Sequence, residues 1–207
     1  MIAPINIDPP QLGTLAMDLD RNAALVLIDV QQGFEDPRWG RRNNPEAERN
    51  IALLIDHWRR TVRPVVHVRH DSETQGSALH PGNTGNGFKQ EATPIEGEAI
   101  YPKSVNSAFI GTSLERDLRR RGISTLVIVG LTTNHCVSTA ARMAGNLGFE
   151  TFVVSDATAT FDRVGIDGRL REAEDVHAAA LSDLHGEFAT VVKSSSVLVQ
   201  RDTCDGP

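Results

Sequence analysis

Residues 124–148, STLVIVGLTTNHCVSTAARMAGNLG, decide how the rest of the chain is read, because they place a cysteine, Cys136, where a strand gives way to a helix. Leu126, Val127, Ile128 and Val129 form a short apolar, β-branched run that stops at Gly130, the pattern of a buried strand in a parallel sheet. From Cys136 the period changes. Ala140, Met143, Ala144 and Leu147 follow it at helical spacing, and Gly148 stands where a helix C-terminal glycine is expected. A thiol in the first turn of a helix faces unpaired backbone N–H groups and the positive end of the helix dipole, both of which favour the thiolate. A small, inert core cysteine accounts for this residue equally well at this point.

Working outward, the same alternation recurs. Residues 23–28 are an apolar run that ends in Asp29, and residues 64–68, 99–101, 151–154 and 189–192 read as further strands. An acid at the carboxyl end of a buried strand lies on the edge where open α/β sheets hold their ligands, although capping a turn is its commoner role. Lys103 stands just past the third strand and is either a solvated surface charge or a second group at that edge. Between strands, Asn44 and Pro45 supply the N-cap and first position of a helix whose apolar stripe is Ile51, Leu54, Ile55, Trp58 and Val62. Thr112 and Glu115 have capping-box spacing ahead of a helix that ends at Gly122, and a further helix is expected over residues 171–184. Strand and helix alternating six times predict a three-layer α/β/α, Rossmann-like fold with a six-stranded parallel sheet. The expected organisation is one domain over residues 1–207, of which residues 1–22, with Pro4, Pro9, Pro10 and Gly13, form an irregular arm.

Composition excludes several classes of function. A net charge of −6, with no basic run interleaved with aromatics, argues against nucleic acid as a partner. Two cysteines, Cys136 and Cys204, are too few for a disulfide framework, and the tail RDTCDGP gives Cys204 neither a base nor a helix, so it reads as inert. With no stretch long enough to span a membrane and no signal-like N-terminus, a cytoplasmic protein with no membrane partner is expected. Residues 69–98 are rich in Gly, Pro, Ser, Asn and Thr and read as a loop over the site. His67, His70 and His80, separated by 3 and 10 residues, match no standard zinc spacing; they are expected to be polar surface histidines, and no metal is assigned.

In a parallel sheet Asp29, Lys103 and Cys136 all fall at carboxyl strand ends, though 74 and 33 residues apart, and a thiol beside a cation and a carboxylate is a nucleophile with a base. The stretches LVLIDVQQGF, YPKSVNSAF and GLTTNHCVSTAARMAGNLGFE, with DATATF after them, resemble in order and spacing the isochorismatase-like cysteine hydrolases, from about residue 23 to 192. That superfamily includes nicotinamidases, N-carbamoylsarcosine amidohydrolases and ureidoacrylate amidohydrolases. The resemblance implies a catalytic triad of Asp29, Lys103 and Cys136, a cis peptide at Leu131-Thr132, and a homo-oligomer.

Two departures narrow it. Nicotinamidases carry an Asp-x-His metal motif after the second strand, whereas Asp71-Ser72-Glu73 offers no histidine; isochorismatases proper, which cleave a vinyl ether, lack the cysteine. A cofactor-free hydrolase of a carbon–nitrogen bond in a small amide, carbamoyl compound or lactam is therefore expected, with streptothricin hydrolase, a lactam-opening relative, as a specific possibility. The backbone N–H groups of Thr132 and Cys136 are the expected oxyanion hole. Phe34, Trp39, Phe109, Asn134 and His135 are candidates for the substrate pocket, each with an ordinary packing, capping or surface role as its alternative. A vinyl ether hydrolase and a non-catalytic binding or scaffold protein on the same fold remain the alternatives. Dinucleotide binding is weaker, because Gly130-Leu131-Thr132-Thr133 lacks the further glycines of a pyrophosphate turn.

Overall fold

The computed structural model describes residues 19–198; most of the expected arm, and Cys204, lie outside them. Strand β1 (Ala24–Ile28) is followed by helix α1 (Ala47–Arg60), β2 (Val65–His70), β3 (Ala99–Lys103), α2 (Leu114–Arg120) and β4 (Thr125–Leu131). After a π-turn come α3 (Ser138–Asn146), β5 (Glu150–Ala159), a small hairpin of β6 (Arg163–Val164) and β7 (Leu170–Arg171), α4 (Ala173–Ser182), β8 (Thr190–Val192) and α5 (Ser194–Leu198). The six main strands pair in the order β3-β2-β1-β4-β5-β8, every pair parallel. Among the described residues no helix is long and apolar enough to cross a membrane.

Strand alternation builds the two faces. Leu25 and Leu27 of β1, with Val127 and Val129 of β4, pack against Ile51, Leu54, Ile55 and Trp58 of α1. Val26 and Ile28, with Leu126 and Ile128, pack against Leu114 and Leu118 of α2 and Ala140 and Ala144 of α3. Trp58 is fully buried and its Nε1–H donates to the Ala23 carbonyl at 2.9 Å, tying α1 to the start of β1.

Four expectations need correction. Val62 is not part of the α1 stripe: it lies past the helix end with φ of +54° and is 91% exposed. Asn44 is not the α1 N-cap, a position held by Glu46. It has φ of +43°, and its amide donates to the carbonyls of Ser155 (2.9 Å) and Thr158 (2.7 Å). Those carbonyls need a partner because β5 is longer than residues 151–154 and pairs with β4 in two registers. Ile128 faces Val153 but Gly130 faces Thr158, so residues between them leave the ladder. Asn50 serves the same bulge by donating to the Asp156 carbonyl at 2.6 Å. Third, the helix after Thr112 starts one residue past the N-cap Ser113, whose hydroxyl donates to Asp117 at 2.6 Å. Finally, His67 is no surface histidine: it is buried in β2, its Nε2 is 2.8 Å from Glu98, and Glu98 also accepts two hydrogen bonds from Arg59 at 2.8 and 2.9 Å.

Gly130 stands at the register change, where φ is +120° and a β-carbon would come within 2.0 Å of the Ile28 carbonyl oxygen. Backbone, not a yielding side chain, blocks that space, so Gly130→Ala should cost about 3 kcal/mol or more and lower Tm by roughly 6–12 °C. Gly148 also has positive φ, +81°, but nothing lies within 4 Å of its β-carbon position; Gly148→Ala should cost only about 1 kcal/mol. Thermal unfolding of the two variants checks the ranking.

Candidate active site

Each group of the site is placed by a strand end. Asp29 follows β1 directly, with φ of +51°, a left-handed conformation that Asp adopts more readily than branched residues. Its N–H donates to the Val68 carbonyl at 3.0 Å and its carbonyl accepts from Gln31 at 2.8 Å, fixing the turn. Lys103 is the last residue of β3 itself, in register with His70 at the end of β2. Because β2 lies between β3 and β1, the lysine side chain reaches across His70 to the aspartate. Its ammonium donates to Asp29 Oδ2 at 2.7 Å, His70 Nδ1 at 3.1 Å and Cys136 Sγ at 3.5 Å. The Lys103 and Asp29 side chains are both sealed from solvent.

Cys136 is not in the first turn of an α-helix. It lies in a π-turn, Thr133–Val137, that precedes α3, with the Val137 N–H reaching back five residues to the Thr132 carbonyl at 3.2 Å. Such wide turns recur at functional sites. Thr133 inside the turn is hydrogen-bonded to His177 of α4 at 2.9 Å, which holds it from behind. The Leu131–Thr132 peptide bond is cis.

Electrostatics differ from the sequence-level expectation of a thiolate. Burial, and then the charge of Asp29, push the Cys136 thiol up to about 12, and Lys103 opposes this only in part. Burial also raises Asp29, against the pull of Lys103. His70 is shifted down by burial and by the adjacent ammonium, so its ring is neutral near pH 7. The resting site therefore holds a protonated thiol and a neutral imidazole around the Lys103–Asp29 pair. Asp29 Oδ1 is buried and has no hydrogen-bond partner among the described residues. Donor atoms of Asp29, His70 and Cys136 lie within 4.8 Å of one another, close enough to hold a metal ion, but the Lys103 ammonium already bonds to all three residues. A divalent ion would have to displace it.

A cavity of about 120 Å³ opens onto the thiol and is lined by Asp29, Phe34, Trp39, His70, Leu79, Asn106, Thr132 and His135. A second, of about 210 Å³, shares Trp39, Thr132 and His135 with it and adds Asn134 and Arg163. Of the expected pocket residues, Phe34, Trp39, Asn134 and His135 line one or both cavities. Phe109 lines neither; it packs against Phe149, with ring centroids 6.0 Å apart. Trp39 is held by its Nε1–H to the Gly33 carbonyl at 2.9 Å and by stacking on Phe161 at 5.4 Å. His70, Asn106, Leu79 and Arg163 were not singled out from the sequence for this site. His70 had one signal available, since a residue ending β2 must neighbour residues ending β1 and β3.

Part of the 69–98 loop forms a wall of this cavity, and buried amides pin it. Gln31 donates to the carbonyls of His70 (3.1 Å) and Asn86 (2.9 Å) and accepts from the His70 N–H at 2.8 Å. Asn86 in turn donates to the carbonyls of His70 (3.1 Å) and Leu79 (2.9 Å). Gly85 lies so close to the turn after β1 that a β-carbon would come within 2.9 Å of Gly33 Cα. Lys89, buried in the same segment, pairs with Glu48 of α1 at 2.8 Å.

The sequence profile described as Isochorismatase domain matches residues 23–196. The isochorismatase family protein YrdC of Bacillus subtilis is 43% identical over 180 residues, 87% of this chain and 96% of its own. Nicotinamidase 3 of Arabidopsis thaliana is 31% identical over 82% of this chain and 84% of its own. Among solved structures, an isochorismatase-family protein of Chromobacterium violaceum superposes with a TM-score of 0.84 at 43% identity, covering 88% of this chain and 94% of that one.

With its thiol pushed up to about 12, free Cys136 should be alkylated by iodoacetamide more slowly than a free cysteine at pH 7. Its rate should rise roughly tenfold per pH unit between pH 7 and 9 without a plateau. Removing the opposing cation, as in Lys103→Ala, should slow it further. A plateau near neutral pH, measured by peptide mapping, would contradict this electrostatic account.

Proposed function

The chain belongs to the isochorismatase family, and on that premise we propose that it hydrolyses a carbon–nitrogen bond of a small amide, carbamoyl compound or lactam through a thioester on Cys136. One observation carries the reading: a carboxylate oxygen of Asp29 lies within 4.8 Å of the Cys136 sulfur, in a buried carboxylate that Lys103 holds by Oδ2 and whose Oδ1 has no hydrogen-bond partner among the described residues. A desolvated carboxylate whose affinity for a proton is raised by burial suits it to take the thiol proton as the sulfur attacks, so no standing thiolate is required.

The thiolate adds to the substrate carbonyl, and the charge developing on oxygen is met by the N–H groups of Thr132 and Cys136. Protonated Asp29 then gives its proton to the departing nitrogen as the C–N bond breaks, leaving an acyl thioester. In the second half, Asp29 takes a proton from water, the hydroxide adds to the thioester, and the departing sulfur recovers the proton. Lys103 remains charged throughout and balances the negative charge as it moves among carboxylate, sulfur and oxygen. The cavity at the thiol, about 120 Å³, has room for roughly four waters' volume, which sets the scale of the acyl half. The neighbouring cavity receives the amine half. Similarity to a nicotinamidase supports amide chemistry, and the presence of the cysteine separates this reading from vinyl ether cleavage, which needs only a proton.

A screen of primary amides, carbamoyl compounds and lactams for ammonia or amine release identifies a substrate. Cys136→Ala should then abolish turnover while substrate still binds, and Asp29→Asn should lose at least about 100-fold in kcat. Acid quenching followed by intact-mass measurement should find wild-type protein heavier by the acyl group, the excess removable by hydroxylamine. If Cys136→Ala turns the substrate over at the wild-type rate, vinyl ether hydrolysis replaces this mechanism. Turnover should also survive exhaustive dialysis against EDTA, because the ammonium of Lys103 supplies the positive charge; loss restored by zinc or manganese would mean that a metal takes its place.

A further inference from the structure

Lys103 has hydrogens but no lone pair to offer when charged, so the ring nitrogen facing it at 3.1 Å, His70 Nδ1, must be the acceptor. The proton of the neutral imidazole is then confined to Nε2. That atom has no hydrogen-bond partner among the described residues, yet it is not one of the buried unpartnered atoms. It therefore keeps access to the space outside the ring. The ring lines the cavity that opens onto the thiol, and the residue is anchored through its N–H and carbonyl by Gln31 and Asn86, whose side chains are themselves buried.

We propose that His70 is a substrate-reading residue: its Nε2–H donates a hydrogen bond to an acceptor on the acyl half of the substrate, one or two bonds from the carbonyl that Cys136 attacks. The nearest donor atoms of His70 and Cys136 lie within 4.8 Å of each other, so an acyl carbon on the sulfur leaves only a short span to the imidazole. The ligand class is thus an amide-type compound with a hydroxyl, ether or carbonyl oxygen, or a ring nitrogen, next to the scissile carbonyl. Plain alkyl amides leave the donor unpaired and are disfavoured. The charged network selects the imidazole tautomer, and the tautomer selects the substrate. This assignment rests on the covalent-thiol reading, and the two can fail separately.

Aldehydes that add reversibly to a thiol test it without a known substrate. Lactaldehyde and isobutyraldehyde differ by a hydroxyl in place of a methyl next to the carbonyl, and each can be titrated for protection of Cys136 against iodoacetamide, with the same titration on N-acetylcysteine correcting for intrinsic reactivity. Wild-type protein should prefer lactaldehyde by roughly tenfold after correction. His70→Asn, whose amide can keep the acceptor facing Lys103 but has no donor at the Nε2 position, should lose that preference while the pH profile of Cys136 alkylation stays unchanged. His70→Gln, which places an N–H near the Nε2 position, should restore part of it. Protection by both aldehydes with no preference in the wild type overturns the role of His70 alone, as does a preference that survives in His70→Asn. Protection by neither aldehyde overturns the covalent reading and this assignment with it.

Discussion

The ion pair between Lys103 and Asp29, 2.7 Å long and closed to solvent on both sides, is the constraint on which the rest of the site depends. Taking two such charges out of water costs several kcal/mol per ion, and attraction between them offsets it only when the remaining donors and acceptors are also satisfied. The ammonium meets that condition by spending its other hydrogens on His70 and Cys136. One carboxylate oxygen does not meet it. The imbalance falls on the carboxylate, a group with an oxygen within 4.8 Å of the sulfur and so within reach of its proton. Parallel strands make the arrangement possible, since all their carboxyl ends lie on one edge and neighbours are about 4.8 Å apart. A lysine on the outer strand can then span one strand to meet an acid on the next.

Much of this was legible in the residues. The apolar runs of β1 and β4 and the change of period after Gly130 reveal a parallel sheet, and a sheet of that kind is enough to bring Asp29, Lys103 and Cys136 to one edge. What escaped depends on partners distant in sequence. Asn44 has the ordinary appearance of a cap, but its amide serves carbonyls released by a register change in β5, more than 100 residues later. His67 looks polar in isolation and is buried because Glu98 and Arg59 are there to receive it. Val62 continues the apolar spacing of α1, yet the helix stops before it.

The sign of the thiol shift was missed for a related reason. A helix N-terminus and a lysine both favour the thiolate, and both are visible as sequence. Burial and the nearness of Asp29 act in the opposite direction, and they appear only when three strand ends have been assembled. The structure decides between them, leaving the cysteine protonated at rest.

The wall of the cavity built from the 69–98 segment has a further consequence. It is irregular chain, yet buried amides, a buried lysine and a backbone-to-backbone approach between Gly33 and Gly85 hold it. Ligand entry therefore need not wait for a slow gating motion, and little chain entropy is surrendered on binding. A rigid receptor of this sort discriminates by refusal: a compound that mismatches the wall meets a surface that does not remodel around it. The range of compounds accepted is then altered most readily by replacing a side chain such as Leu79 that the wall presents to the cavity, while the wall itself stays where it is.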